Sequence, residues 1–197
     1  MNIFVPFGDR VSLRTNTGIV HMEPADLQGY WVLPSARAAG VLCVNESPVV
    51  RVNLEELSQF EPQVNCVQAM LAREVTSLHP VGVTDRFYST DRQVALFARL
   101  ANVSCDLPLF TVWECEENIL DIVFTNITAR KPPAYSCRFA SGIALGDPPP
   151  YGHGRVELIT VLGRSLAMLE FSISQSRRPE YEGELEVSRS LSLDTRL

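Results

Sequence analysis

The sequence predicts a mainly β protein, built as an antiparallel β-barrel or β-sandwich with one short helix. Short runs rich in β-branched and aromatic residues recur along the chain, and clusters of Gly, Pro, Asn and Asp separate them. Several of these runs alternate apolar and polar positions, which is the period of a half-buried strand. The chain of 197 residues is 46% hydrophobic, so it can bury a core as one large β domain or as two small ones.

The N-terminal third of the chain contains a series of short predicted strands. Gly8-Asp9 and Thr15-Asn16-Thr17-Gly18 supply turn chemistry between the first three. Pro34 ends the fourth, and Asn45-Glu46-Ser47-Pro48 is typical of a hairpin turn between the last two. The predicted strands are 3–7, 11–14, 18–22, 30–33, 41–44 and 49–54.

Residues 65–77 carry the pattern from which we predict the helix. Apolar side chains recur there at spacings of three to five, Asn65 suits an N-cap, and Pro80 lies just beyond the end. We interpret this helix as a packing element that closes the first sheet or crosses between two units. The apolar positions are Cys66, Met70, Leu71 and Val75.

The middle of the chain predicts further strands. Residues 94–101 fit either a strand or a short amphipathic helix. Residues 107–116 and 119–127 alternate around Glu116-Glu117-Asn118, which predicts a hairpin. Lys131-Pro132-Pro133 breaks the chain before another strand at 135–140.

Residues 141–187 predict an array of strands joined by turns. Val156, Leu158 and Leu162 share one face of a pleated segment, and Leu169 and Ile173 share one face of the next. Two stretches separate these strands. They are Pro148-Pro149-Pro150, which cannot donate ladder hydrogen bonds, and the turn Gly163-Arg164-Ser165.

Charge and cysteine usage narrow the class of protein. The net charge of −6 argues against a protein that coats nucleic acid, so nucleic acid is not expected as a tight ligand. No apolar segment reaches the roughly 18 residues that suggest a membrane span. The N-terminus lacks a signal-peptide pattern, and the five widely spaced cysteines predict free thiols rather than a metal site. We therefore expect a reducing compartment, the cytoplasm or nucleus of a host cell, and no cofactor.

One set of motifs resembles a known enzyme family, the dUTPases. The matching segments are Gly142-Ile143, Pro149, Gly154-Arg155-Val156, Arg164-Ser165-Leu166-Ala167 and Tyr181-Glu182-Gly183-Glu184-Leu185-Glu186-Val187. A weaker echo runs from Thr17-Gly18-Ile19 to Gly40. Two such units in one chain resemble double-length herpesvirus dUTPases and their non-enzymatic relatives, among them an adenoviral early protein. The resemblance implies a dUTPase-like or jelly-roll-like β fold in two units, 1–90 (with the helix at 65–77) and 91–197, which could pack as one domain.

The resemblance also implies that the catalytic activity of the family, dUTP hydrolysis, is lost in this chain. In the family, the tyrosine matched by Tyr181 packs under the deoxyribose, and the hairpin containing Gly183 receives uracil. An aspartate ahead of that tyrosine activates water, but Arg178 occupies its place here. A guanidinium cannot accept a proton near neutral pH, so we expect no dUTP hydrolysis. Arg164 and Ser165 match the residues that contact phosphate, and we regard all five positions as vestigial.

The remaining expectation is binding to other proteins, of host or virus. Thr195 and Leu197 fit the C-terminal pattern that PDZ domains bind by strand addition. Tyr151, on the Pro/Gly turn, is the first aromatic candidate for a partner contact, whereas Trp31 and Trp113 lie on predicted strands and are expected in the core.

Two alternative functions stay open at this point. The first is a coat protein of a small non-enveloped virus, which would self-assemble through a β-sandwich into a capsid lattice or a smaller homo-oligomer. The absence of a basic arm to neutralise a genome counts against it. The second, ranked last, is an active nucleotide hydrolase. The three histidines are scattered without a catalytic motif around them.

Overall fold

The computed structural model describes residues 1–25, 29–33, 38–129 and 136–175. In this part of the chain there are sixteen strands, one α-helix and one 3₁₀ helix. The strands are β1 Asn2–Phe4, β2 Val11–Thr15, β3 Gly18–His21, β4 Glu23–Pro24, β5 Tyr30–Val32, β6 Ala39–Val44, β7 Ser47–Asn53, β8 Asn65–Thr76, β9 His79–Val83, β10 Arg86–Tyr88, β11 Gln93–Ala101, β12 Leu107–Cys115, β13 Asn118–Ile127, β14 Cys137–Ala144, β15 Gly152–Thr160 and β16 Ser165–Ser174. The helices are α1 Leu54–Phe60 and the 3₁₀ helix Glu61–Gln63. None of the described helices has the length and apolar character needed to cross a membrane.

The strands make four sheets, of which the two larger pack as a sandwich. The back sheet has the order β14-β11-β8-β9, and the front sheet has the order β10-β16-β15-β12-β13. All their pairings are antiparallel except that of β10 with β16. This strand order, with a short parallel strand at one edge, is a Greek-key arrangement of the immunoglobulin type. The predicted β-sandwich is therefore confirmed, and the described strands do not close into a barrel.

Aromatic side chains fill the space between the front and back sheets. Trp113, on β12, is fully buried and contacts Phe171 at a ring-centroid distance of 6.1 Å. Phe171 in turn meets Phe87 at 6.2 Å, with the rings perpendicular. Leu96 and Leu100 of the back sheet belong to the same buried cluster. Trp113 and Trp31 are both core residues, as predicted from their strand positions.

The two smaller sheets come from the first third of the chain. One has the order β1-β5-β4, and the other, the arginine sheet, has the order β3-β2-β6-β7. The first rests against the front sheet, because Phe4 of β1 lies 5.8 Å from Phe110 of β12 and the amide of Phe4 donates to the carbonyl of Val161. Tyr30 Oη donates to the carbonyl of Gly163 over 3.2 Å. One continuous hydrophobic core therefore joins all four sheets.

A buried polar link strengthens this junction. The Glu61 carboxylate, 4% exposed, accepts a hydrogen bond from the hydroxyl of Thr160 at the end of β15. Arg164 adds two bonds, from its side chain to the carbonyl of Glu61 at 2.7 Å and from its amide to the Thr160 hydroxyl at 3.1 Å. Because a buried carboxylate must have its hydrogen bonds satisfied, these contacts fix the 3₁₀ helix against the sandwich.

The helix predicted at 65–77 is wrong, since this segment is strand β8. It pairs with β11 on one side and with β9 on the other. Strand β8 is mostly exposed or half-buried, with only Leu71 and Ala72 buried, so its apolar positions do not alternate along the strand and their spacing resembles that of a helix. The helix lies earlier, at Leu54–Phe60. Asn53 caps it by accepting from the amide of Glu56, and Leu54 and Leu57 are its buried face.

The hairpin formed by β8 and β9 folds back over its own sheet. Gln68 of β8 lies opposite Arg99, which lies opposite Arg138 of β14. Thr76, which pairs with His79, is eight residues further along, about 26 Å in an extended strand. Yet Nε2 of His79 lies 3.0 Å from Nη1 of Arg138. The hairpin must therefore curve so that its tip reaches the opposite edge of the back sheet.

The predicted hairpins and most predicted strands are confirmed. The pairs β6–β7 and β12–β13 turn at Asn45-Glu46 and Glu116-Glu117, where both central residues have positive φ, the geometry of a type I′ turn. The ambiguous segment 94–101 is strand β11. Each larger sheet takes strands from both sides of residue 90. The division into units 1–90 and 91–197 stays a prediction.

Candidate interaction face

The outer surface of the front sheet carries a row of charged side chains. Side chains on one face of neighbouring strands form rows across a sheet, because paired residues point the same way. Glu170 of β16 pairs with Arg155 of β15, Arg155 with Glu114 of β12, and Glu114 with Ile119 of β13. These four residues make the charged row. Ile119 is 57% exposed at its end.

A second row lies alongside and mixes apolar and acidic side chains. Met168 pairs with Glu157, Glu157 with Val112, and Val112 with Ile122. Met168 is 52% exposed, whereas Val112 is buried. The row therefore changes from open at β16 to covered toward the centre of the sheet.

The third row is apolar and is covered by the N-terminal strands. It consists of Ile159, Phe110 and Phe124, and the rings of Phe110 and Phe124 lie 5.3 Å apart. Phe4 and Phe7 each pack edge-on against Phe110 at 5.8 Å. Beyond the charged row, exposed His153 of β15 and Arg86 of β10 continue the same outer surface. We call the charged row and the open end of the second row the interaction face, defined by Glu114, Ile119, Arg155, Glu157, Met168 and Glu170.

An ion pair organises the centre of the interaction face. Nε of Arg155 donates to the Glu114 carboxylate over 2.7 Å. This hydrogen bond and the charge of Glu114 raise the pKa of Arg155, and Glu157 contributes a smaller effect in the same direction. Arg155 is thus held between the carboxylates of Glu114 and Glu157. The face carries a net negative charge.

A tight turn adds further acids at the edge of the face. The β12–β13 turn contains Glu116 and Glu117, and the Glu116 carboxylate accepts from the amide of His153 over 2.7 Å. Gly152 has φ +126°, and a Cβ atom there would lie 2.2 Å from the Glu116 side chain. The positive φ therefore favours glycine where the turn closes onto β15. Glu117 makes no ion pair with any described residue.

Two clefts border the interaction face and meet at its centre. One, of about 600 Å³, lies against the N-terminal strands, and aromatic side chains including Phe7 and Tyr30 line it. The other, of about 580 Å³, lies at the Glu116 turn. Both are lined by Glu114, Ile119 and Arg155. The ion pair and the exposed isoleucine thus form the ridge between two depressions.

The arrangement suits binding by charge and apolar contact. Carboxylates and an aromatic wall can receive cationic side chains, while Ile119 and Met168 offer apolar area beside them. Among the described residues, no group of three or more His, Cys, Asp and Glu side chains is placed to hold a metal ion. Within the described ranges, Cys43, Cys66, Cys105 and Cys115 carry free thiols.

Of the predicted nucleotide-site residues, the structure describes Arg164 and Ser165, and neither belongs to the interaction face. Arg164 is half-buried and bonded to Glu61, and Ser165 is exposed at the start of β16. The confirmed turn Gly163-Arg164-Ser165 joins β15 to β16. The Arg164 guanidinium therefore makes a structural contact between the N-terminal part and the sandwich. Arg178, Tyr181, Gly183, Thr195 and Leu197 lie outside the described residues, so their roles stay predictions.

Tyr151, the predicted partner contact, borders the interaction face. It is exposed and lies two residues before His153, and its carbonyl faces the thiol of Cys115. Sequence reasoning missed Glu157, Met168 and Glu170. Their alternation with Val156, Leu169 and Phe171 was the signal that could have located an exposed sheet face.

Comparisons with known proteins give no functional assignment. No family model matches the chain, and no curated protein matches it. Among solved structures, the chain is similar to a candidate β-galactosidase from Bacteroides fragilis, with a TM-score of 0.35 and 11% sequence identity. The match covers 86% of this chain and 29% of that structure, so the chain spans less than a third of its length.

Proposed function

We propose that the chain is a non-catalytic protein-interaction module that binds a basic partner segment on its interaction face. The observation that carries this proposal is the charged row, where Glu114 and Glu170 flank Arg155 and exposed Ile119 ends the row. Glu157, Glu116 and Glu117 extend the acidic surface. Complementary charge speeds encounter and selects partners, and apolar anchors supply much of the affinity.

The partner that suits this surface is an extended or helical segment with Lys or Arg beside apolar side chains. Its cations would lie over Glu157 and Glu170, and an apolar residue would rest on Met168. The aromatic cleft beside Tyr30 offers a second place for a cation or an apolar side chain. The overall charge of −6 acts in the same direction, because it attracts basic proteins at a distance.

The test uses charge reversal at half-buried Glu157 and exposed Glu170. Glu157→Lys with Glu170→Lys should abolish capture of the partner that crosslinking and mass spectrometry identify with the unchanged chain. A matched control, Glu23→Lys with Glu74→Lys, makes the same charge change at exposed strand positions elsewhere and should keep capture within about twofold. Loss in both variants, or in neither, would contradict the assignment to this face. A partner segment that is acidic would contradict it as well.

The kinship with dUTPases and a viral origin form part of the same proposal. They are supported by the sequence motifs from Gly142 onward and by Arg178 in place of the catalytic aspartate. An assay that detects dUTP turnover dependent on Tyr181 would overturn the non-catalytic function. Titrating the C-terminal decapeptide against PDZ domains tests whether the C-terminal residues bind them. A dissociation constant no tighter than millimolar would exclude PDZ domains as partners.

The coat-protein alternative shares the β-sandwich architecture. Many viral shells are built from such sandwiches, which is the observation in its favour. Size-exclusion chromatography and electron microscopy of the purified chain distinguish the two functions. Large regular particles would favour the coat protein, and a monomer or small oligomer would favour the interaction module.

A further inference from the structure

Another cavity lies apart from the interaction face. It measures about 920 Å³, within the range of small-ligand sites, and it shares no lining residue with the two clefts described above. One wall belongs to the arginine sheet, and α1 lies beside it. The other wall is the segment Cys105-Asp106 with the end of β13. The cavity therefore opens between the N-terminal third and the sandwich.

Two arginines face each other across a single valine on the sheet wall. Arg14 of β2 pairs with Val41 of β6, and Val41 pairs with Arg51 of β7. The three residues form one row on one face of the arginine sheet, with the two arginines about 10 Å apart at their Cα atoms, twice the strand spacing. Each arginine side chain is long enough to lean toward the other over Val41. One anionic group could then receive hydrogen bonds from both guanidinium groups.

Two carboxylates line the same cavity. Glu56 lies on α1, and Asp106 follows Cys105 on the opposite wall. One oxygen of Asp106 accepts from the amide of Ala129 over 2.8 Å, which fixes the direction of the carboxylate. Burial and, to a smaller extent, the charges of Glu56 and Asp106 together raise the pKa of the Cys105 thiol to about 11, as expected for acids that line the same wall.

The four charges are not neutralised by one another. Within the described ranges, Arg14, Arg51, Glu56 and Asp106 form no ion pair at 4.0 Å or less. Among the described residues that line the cavity, two cationic and two anionic groups thus share one space without pairing. A molecule that carries both signs of charge would match both sets, whereas a simple anion would meet the two acids.

We propose that this cavity binds a small zwitterion, an amino acid or a similar molecule. The carboxylate of the ligand lies between Arg14 and Arg51, and its ammonium group faces Glu56 and Asp106. Asn16, Asn53 and Asn126 line the same space and supply further hydrogen-bonding groups. Such a site is independent of partner binding at the interaction face.

The test is a titration with probes of graded charge separation. Glycine, β-alanine and γ-aminobutyrate carry both charges at increasing distance, while butyrate and butylamine each carry one. Ligand-observed NMR on the full chain should show saturable binding of at least one zwitterion, with both single-charge probes at least tenfold weaker. Absence of saturable binding by every zwitterion would overturn the proposal, and so would equal binding of butyrate.

Matched variants tie the binding to this cavity. Arg51→Gln and Glu56→Gln, at exposed side chains, should each weaken zwitterion binding at least tenfold while the circular dichroism spectrum stays unchanged. Arg86→Gln and Glu74→Gln remove the same charges from strands that do not line the cavity, and they should bind as the unchanged chain does. Equal affinity of Arg51→Gln and the unchanged chain would place the ligand elsewhere and overturn the proposal.

Discussion

Nε2 of His79 lies 3.0 Å from the guanidinium of Arg138, although the two residues are 59 positions apart and on opposite edges of the back sheet. The other ring nitrogen of His79 lies 2.9 Å from the carbonyl of Ser77. Since the guanidinium can only donate, Nε2 must accept and Nδ1 must carry the proton. This contact holds the tip of the β8–β9 hairpin against the sheet.

We expect His79→Ala to free the hairpin without unfolding the sandwich. The contact is exposed and contributes little to global stability, but no other described side chain bonds the tip to β14. Hydrogen exchange at 72–83 should speed up at least severalfold, while the melting temperature changes by no more than about 2 °C. His21→Ala, at an exposed histidine on β3, is the control and should leave exchange at 72–83 unchanged.

Gly163→Ala should destabilise the junction between the N-terminal strands and the sandwich. Gly163 has φ +83°, and a Cβ atom there would lie 2.4 Å from the ring of Tyr30. Both the backbone strain and the clash act against the substitution, and we expect a loss of about 2–4 kcal/mol in the free energy of unfolding. Urea denaturation measures it.

The variant Gly18→Ala separates the cost of backbone strain from the cost of the steric clash. Gly18 also has a positive φ, +143°, but open space surrounds the position of its missing Cβ. This variant should show the backbone cost alone, about 1–2 kcal/mol. Equal losses at Gly18 and Gly163 would mean that contact with Tyr30 does not matter.

The buried Glu61 should tolerate glutamine better than alanine. Glu61→Gln keeps an oxygen that can accept from the Thr160 hydroxyl, whereas Glu61→Ala leaves that hydroxyl without its acceptor in a buried site. We expect the alanine variant to lose about 1–3 kcal/mol more than the glutamine variant. Arg164 bonds the backbone carbonyl of Glu61, so that contact persists in both. Chemical denaturation of the pair tests this, and equal midpoints would show that the Thr160 hydrogen bond contributes nothing.

Alkaline pH should weaken the fold through Cys105. Its pKa is raised to about 11 in the folded chain, chiefly by burial and next by Glu56, from an ordinary value of 9.0. Between these values the folded thiol keeps its proton and the unfolded thiol loses it, so stability falls as pH rises from 9 to 11. The decrease is at most about 1.4 kcal/mol per pH unit.

Urea denaturation across this pH range measures the effect. Cys105→Ala removes the titrating group, so its stability should decrease less steeply with pH than that of the unchanged chain. Parallel slopes in the two proteins would show that Cys105 is not the source of the pH dependence.

Local signals explain which elements could be predicted from the sequence. The two hairpins follow from alternating strands on both sides of a short polar turn. Asn45 also suits the positive φ of a type I′ turn, whereas Glu116 and Glu117 are not typical of it. The helix prediction at 65–77 failed because β8 is largely exposed and its apolar positions do not alternate, so their spacing is not diagnostic. Asn53 followed by Glu56 was the better helix signal, an N-cap with an acid three residues later.

The interaction face depends on register, which the sequence does not reveal. Glu114, Arg155 and Glu170 come from three strands up to 56 positions apart, and only the pairing of β12, β15 and β16 aligns them. A shift by one residue would turn each side chain to the other face. The predicted site residues were local motifs instead, and those after 175 fall outside the described part of the chain.

The packing of Phe4 against Phe110 has a consequence for folding during synthesis on the ribosome. A ribosome synthesises Phe4 roughly a hundred residues before Phe110, and at about 5–20 residues per second the wait lasts several seconds or more. During that interval Phe4 cannot make its contact with Phe110, so the aromatic face of the N-terminal strands lacks this cover. A chaperone that shields this surface during translation should therefore raise the yield of correctly folded chains.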